Sequence, residues 1–144
     1  MAHERTLAII KPDGMKHKDE ILKRINSAGL NIVRSNIMRV KPEMAYNFYI
    51  HVRGKKGEKI HQSLVEYITS GDVMPMIIEG DNAVLALRKI TGHTDPEKAE
   101  KGTIRRDLGT DKMRIADSEN RSTRNLIHSS GSAEEAENEL KFFF

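Results

Sequence analysis

The chain has 144 residues, of which 38% are hydrophobic and 31% are charged, enough for one hydrophobic core but not for two comfortable domains. It contains no cysteine and no run of eighteen apolar residues, which excludes disulfide scaffolds, cysteine zinc sites and an ordinary membrane-spanning helix. The net charge of +3 favours anionic small molecules about as readily as nucleic acid. We therefore expect a single domain over residues 1–144 and, because no signal-peptide pattern opens the chain, a soluble cytoplasmic protein.

The first half of the chain alternates strand and helix patterns. Residues 6–10 form a compact apolar run that stops at Pro12, which predicts a buried central strand followed by a turn. Apolar residues at helical spacing predict a helix over residues 19–28. A second strand is predicted over residues 31–40, and a short helix over residues 42–50.

The pattern continues in the middle of the chain. Helical spacing of apolar residues predicts a helix over residues 60–68. The run at residues 74–78 predicts a third strand, in which Pro75 indicates either an edge strand or the strand entry. Asp81 is the expected N-cap of a further helix, which ends at Gly92.

The last predicted elements are a strand over residues 125–128 and a helix over residues 132–142 that buries Ala133, Ala136 and Leu140. Strands and helices thus alternate along the whole chain, which favours a layered α+β fold. The order predicts a ferredoxin-like, four-stranded antiparallel sheet with surrounding helices.

Two polar segments are predicted to be loops. Residues 53–59 are basic and contain two glycines, and we interpret them as a solvated loop in preference to a nucleic-acid patch. Residues 107–124 have almost no apolar side chains and are the second predicted loop.

His128 follows the short apolar run of the last strand and precedes a helix start. Ser132 and Glu135 have the spacing of a capping box, so the helix is expected to begin at Ser132, with its positive end close to His128 and suited to an anion. Imidazole is a competent nucleophile near neutral pH and can carry a phosphoryl group in two steps. In its local context alone, a histidine at such a position is more often a surface or packing residue.

Five blocks of sequence together resemble the signature of nucleoside diphosphate kinases. They occur in family order across nearly the whole chain: TLAIIKPDG at 6–14, Glu79-Gly80 with Ala83-Val84 before Arg88, GHTDP at 92–96, GTIRRD at 102–107 and NLIH at 125–128. Taken singly, each residue has a plainer interpretation, such as a strand-end lysine for Lys11 or surface charge for Arg105.

The resemblance implies a ping-pong transfer of the γ-phosphate of a nucleoside triphosphate to a diphosphate, through a pros-phosphohistidine on His128. It implies that Mg²⁺ is held mainly by the substrate phosphates, without protein ligands. The resemblance further implies phosphate contacts by Lys11, Arg88, Thr94 and Arg105, and sugar contacts by Lys11 and Asn125. It implies that Tyr49 is a nucleotide-binding residue beside His128, that Glu139 orients the ring of His128, and that Ser130 contacts His128.

The chain also departs from the family pattern. Ile60 stands where the family has an aromatic ring over the base, which removes a stacking contact of about 1 kcal/mol. Gly131 replaces the family's aspartate after the histidine. The segments before Leu64 and before Asn125 are longer than usual, and Ser122 is the nominal match to a base-contacting residue.

We expect nucleoside di- and triphosphates of any base or sugar as substrates, and a homo-oligomer, either a tetramer or a hexamer built from dimers. Two other functions stay open. The basic sequence and four-stranded sheet would suit nucleic-acid binding, but the central strands lack aromatic stacking pairs. The departures near Ile60 and Gly131 would suit an inactive relative with an assembly or regulatory role.

Overall fold

The computed structural model describes residues 3–144. The strands of this part of the chain are β1 (His3–Ile10), β2 (Asn31–Ser35), β3 (Met74–Asp81) and β4 (Ile127–Ser129). The helices are α1 (Lys18–Ser27), α2 (Pro42–Phe48), α3 (Ile50–Lys56), α4 (Glu58–Thr69), α5 (Ala83–Thr91), α6 (Ile104–Leu108), α7 (Met113–Ser118) and α8 (Ala133–Leu140). A 3₁₀ segment, Pro12–His17, joins β1 to α1.

The four strands form one antiparallel sheet in the order β2-β3-β1-β4. This topology confirms the predicted ferredoxin-like α+β fold. The strand predicted at residues 6–10 is central, as expected, because β1 lies between β3 and β4 and the whole run is buried.

Both faces of the sheet are covered by helices. Because successive side chains of a strand point to opposite faces, Ala8 and Ile10 pack with α1 and α5, whereas Leu7 and Ile9 pack with α2, α4 and α8. The terminal phenylalanines 142–144 pack on this second cluster and are half-buried. The sheet therefore separates two hydrophobic clusters, and β1 contributes to both.

The second strand is shorter than predicted. It ends at Ser35, which pairs with Met76, and after it Met38 makes only an isolated bridge to Val73. Pro75 occupies the intervening position of β3 and has no N–H to donate, so the ladder is interrupted there. Because β3 is an inner strand, Pro75 marks the strand entry and not a sheet edge.

Both predicted loops were wrong in part. Residues 53–59 belong to the end of α3 and the start of α4, separated by Gly57. Val52 of α3 packs on the second cluster, and this contact outweighs the local polarity. Residues 107–124 contain the end of α6 and all of α7, where Ala116 is fully buried.

Two details of the predicted helix starts also need correction. Asn82, with a left-handed backbone, takes the N-cap position of α5 in place of Asp81, and the Glu4 carboxylate accepts a hydrogen bond from the Val84 amide at 3.2 Å. Ser132 does cap α8 by accepting from the Glu135 amide at 3.1 Å. Ala133, predicted to be buried, is exposed.

Candidate active site

His128 lies at the centre of β4 and pairs with Ile9 of β1. Directly opposite residues of an antiparallel pair point to the same face, so the imidazole faces the layer that contains α2 and α8. There its Nε2 lies 2.9 Å from Oε1 of Glu139 on α8. The same carboxylate oxygen accepts a bond from the Ser130 hydroxyl at 2.6 Å. Ser130 therefore reaches the imidazole through Glu139.

These contacts assign the tautomer of His128. A carboxylate can only accept, so Nε2 carries the proton and donates it. Burial lowers the pKa of His128, and the hydrogen bond and charge of Glu139 oppose this shift without cancelling it. Burial alone would raise the pKa of Glu139, but the hydrogen bonds from His128 and Ser130 bring it below its ordinary value. The pair is thus a neutral imidazole beside a carboxylate, with a lone pair available on Nδ1.

Lys11 follows β1 directly and lies two residues beyond Ile9. Its ammonium donates to Oδ1 of Asn125 at 2.9 Å and lies 5.3 Å from the centre of the Tyr67 ring. Burial, followed by repulsion from Arg105, lowers the pKa of Lys11 to about 7. A cation held under these conditions is stabilised by any anion that enters the site.

Arg105 of α6 hydrogen-bonds to two separate segments of backbone, one just after α5 and one at the start of β4. Its guanidinium donates to three carbonyl oxygens, those of Gly92 at 3.0 Å, Asn125 at 3.2 Å and Ile127 at 2.6 Å. Burial and the nearby charge of Arg88 lower the pKa of Arg105 to about 10, so it remains charged at neutral pH. The side chain fixes the chain before His128 and retains N–H groups for an anion.

One cavity brings most of these residues together. Its walls include five cationic side chains, those of Lys11, Lys56, Arg88, Arg105 and Arg121, and one carboxylate, that of Asp117. His128, Thr94, Asn125 and Ile60 also line it. An excess of positive charge around one histidine favours a polyanionic ligand.

The cavity lining also includes apolar side chains. Ile60 lies in the first turn of α4, beside Leu64, and Met113 of α7 also lines the wall. Ser122 is buried and its amide donates to the Ser63 hydroxyl at 2.8 Å. His61 contacts the carbonyl oxygen of Tyr46 at 2.9 Å and is not part of the lining. An apolar wall of this kind suits a flat, poorly charged group.

Two features differ from the sequence interpretation. Tyr49 is buried outside the cavity lining, and its hydroxyl has no hydrogen-bond partner among residues 3–144. The positive end of α8 is not part of the cavity, because none of residues 131–135 lines it. The amides of Gly131 and Glu135 are bonded to the side chains of Glu135 and Ser132, and His128 meets α8 near its other end.

Sequence reasoning missed Phe48, whose ring lies edge-on to the His128 ring with centroids 5.4 Å apart. It also missed Asp13 and Tyr67, which hydrogen-bond to each other beneath Lys11. Two signals could have pointed to these residues: Phe48 immediately precedes Tyr49, and Asp13 lies inside the first signature block. Arg121 was hidden in a segment interpreted as a loop.

The chain is similar to proteins of one family throughout its length. The family model for nucleoside diphosphate kinase matches residues 4–144. A nucleoside diphosphate kinase of Saccharolobus islandicus is 38% identical over 146 residues, which cover 100% of this chain and 96% of the relative. The chain belongs to the nucleoside diphosphate kinase family. This membership confirms the resemblance and makes the protein a phosphotransferase enzyme that acts on nucleotides.

Solved structures of the family agree with this assignment. The nucleoside diphosphate kinase of Borrelia burgdorferi, in a transition-state mimic with vanadate and ADP, superposes with a TM-score of 0.93 at 27% identity, over 99% of this chain and 87% of that one. The enzyme of Halobacterium salinarum in complex with CDP gives a TM-score of 0.84 at 34% identity, over 99% and 88%. Within residues 3–144, no helix combines the length and apolar character needed to cross a membrane.

Proposed function

We propose that this family member transfers the γ-phosphate of a nucleoside triphosphate to a diphosphate in two steps, through a phosphohistidine on Nδ1 of His128. The observation that carries the proposal is the pairing of Nε2 with Glu139 at 2.9 Å. It leaves Nδ1, the pros nitrogen, as the nucleophile. Attack of its lone pair on the γ-phosphorus forms the N–P bond and releases the diphosphate, and the second nucleotide reverses the step.

The surrounding side chains supply the electrostatics of this transfer. Lys11, Arg88 and Arg105 neutralise the charge that spreads over the phosphoryl oxygens, and the Thr94 hydroxyl donates to them. Asn125, which already bonds Lys11, contacts the sugar hydroxyls with it. Glu139 stabilises the positive ring that forms after attack, and Ser130 holds Glu139 in place. Tyr49 is proposed to support the site indirectly, through the Phe48 ring that packs against both Tyr49 and His128.

We expect Mg²⁺ to bind together with the nucleotide, through its phosphates. The described residues contain no cluster of three acidic or histidine side chains that could hold a metal ion, and Asp117 is the one carboxylate in the lining. This donor set fits Mg²⁺ carried by the nucleotide phosphates, whose charge the ion would neutralise when bound.

We expect the contacts to the base to discriminate little between nucleotides. Ile60, Leu64 and Met113 offer apolar surface that any base can cover, while the charged residues act on phosphates common to every nucleotide. The relatives described above were solved with a purine and with a pyrimidine nucleotide. We therefore propose broad base and sugar specificity.

We also propose that the protein is one domain and works as a homo-oligomer, either a tetramer or a hexamer, each built from dimers. β2 is an edge strand of the sheet. Val33 in this strand is 54% exposed, and Ile37 in the loop that follows is 50% exposed. A second copy could cover this edge. Light scattering distinguishes the assemblies.

A cytoplasmic location, where nucleotides and Mg²⁺ are plentiful, is part of the same proposal and is checked by fractionation.

The test is incubation with γ-labelled ATP. The parent should acquire up to one labelled phosphate per chain, stable to base and labile to acid, and pass it to added diphosphate. His128→Ala should acquire none and remain folded, because the imidazole borders the open cavity and its removal leaves no closed void in the core. Ser132→Ala is the matched control and should label normally. Acid-stable label would assign the phosphate to a serine, and no label would favour an inactive regulatory relative.

A further inference from the structure

Leu126, two residues before His128, has a backbone conformation that leucine rarely adopts. Its φ is 73°, in the left-handed region. Within residues 3–144 the other non-glycine residues with positive φ are Asn82 and Asn120, and asparagine tolerates this region far better than leucine does. Such a conformation persists only where surrounding contacts hold it, and these cluster at functional sites.

Both polar groups of the Leu126 backbone are held by the segment after β1. The Leu126 amide donates to Oδ2 of Asp13 at 3.2 Å, and its carbonyl oxygen accepts from the Lys11 amide at 2.8 Å. Gly14 permits this close approach, because a Cβ atom there would lie 2.3 Å from the same carbonyl oxygen. The left-handed residue is therefore clamped against the turn that also carries Lys11.

The other oxygen of Asp13 is held from α4. Tyr67, which is only 4% exposed, donates its hydroxyl proton to Oδ1 of Asp13. Burial and the charge of Asp13 raise the pKa of Tyr67, so this hydroxyl remains a donor across the physiological range. The ring of Tyr67 also lies under the Lys11 ammonium. One carboxylate thus connects α4, the turn after β1 and the chain leading to His128.

We propose that Asp13 and Tyr67 are positioning residues for phosphoryl transfer. Neither lines the cavity, so neither is expected to touch the nucleotide. Their bonds hold Leu126 in its left-handed conformation and thereby set the directions of its neighbours, Asn125 and the strand that carries His128. The inference rests on the function proposed above and adds residues outside the signature roles implied by the family resemblance.

Tyr67→Phe and Asp13→Asn test it. Phenylalanine keeps the ring but leaves Asp13 without its donor, and asparagine cannot accept from both Tyr67 and Leu126. The single-turnover rate of His128 phosphorylation should fall by about ten- to a hundredfold, as expected for a misplaced nucleophile, while ADP affinity changes much less. Exchange of the Leu126 amide hydrogen should accelerate in both variants. Ser70→Ala is the control, because it removes a hydroxyl bonded to the Tyr67 carbonyl within the same helical segment.

The inference is overturned if both variants are phosphorylated at the parent rate, or if the rate falls only as far as the folded fraction does. A loss of ADP affinity that matches the loss of rate would also overturn it, since that result indicates general disruption of the site. The parent protein separates the two proposals. If the parent forms phosphohistidine and the two variants do so at the same rate, only this inference is overturned. If the parent forms none, both proposals are overturned.

Discussion

Lys11 is buried close to other cations, and at the residue scale this position couples its proton to ligand binding. Its pKa of about 7 means that an appreciable fraction of the free protein has a neutral Lys11 near neutral pH. A bound polyphosphate favours the charged ammonium and raises the pKa towards its ordinary value. The nucleotide and the proton therefore bind cooperatively.

We expect ADP binding at pH 8 to take up close to one proton, and ADP affinity to fall as the pH rises from about 7. The sign follows from the shift: the free site is mostly deprotonated at pH 8, and the bound site is protonated. Calorimetric titrations in two buffers with different ionisation enthalpies measure the uptake. Lys11→Met should abolish it. Equal heats in both buffers for the parent would contradict the prediction.

Ile60 is the second residue whose role can be measured directly. It lies in the cavity wall, whereas His61 is turned towards Tyr46. Ile60→Phe should tighten ADP binding several-fold, because an aromatic face adds about 1 kcal/mol of stacking. Ile60→Leu is the control and should bind like the parent. If the phenylalanine variant binds no better, the base is covered by another part of the wall, such as Met113.

At the scale of elements, α3 and α4 depend on the glycine between them. Gly57 has φ 93° and ψ 170°, a combination that is essentially restricted to glycine. Gly54 lies inside α3 without a positive φ. A Cβ atom at either position would meet nothing within 4 Å. The two sites therefore differ in backbone conformation and not in available space.

Gly57→Ala should lower the free energy of unfolding by about 1–3 kcal/mol through backbone strain. Gly54→Ala should raise it by about 0.5–1 kcal/mol, because alanine is the better helix former. Urea denaturation of both variants beside the parent gives the comparison. Similar effects at the two positions would mean that the break between α3 and α4 is not set by Gly57.

At the scale of the whole molecule, the sheet is stabilised from both faces, and α5 shows how unequal the positions of one helix are. Leu87 is fully buried in the cluster with α1, while Leu85 is 72% exposed. Leu87→Ala should cost about 2–5 kcal/mol of unfolding free energy, and Leu85→Ala less than about 0.5 kcal/mol. Thermal and denaturant unfolding test this difference. A large cost at Leu85 would instead indicate that another copy covers it.

Much of the fold could be read from local pattern. The apolar run at residues 6–10, the helical spacing in α1 and α5 and the Ser132 cap are signals contained within a few residues, so their elements were predicted with small boundary errors. His128, Lys11 and Arg88 stand within or next to recognisable sequence blocks, and all three line the cavity. The polar loops failed because Val52 and Ala116 obtain their helical stability from packing partners that are distant in sequence.

The sequence indicated many of the residues that line the cavity, but not how they hold one another. Asp13 and Leu126 are 113 positions apart, and Arg105 binds carbonyl groups that every residue possesses. Backbone acceptors and a left-handed φ leave no residue-type signal at Leu126. Those contacts exist only because the sheet brings the end of β1 beside the start of β4, where burial makes each hydrogen bond hard to lose.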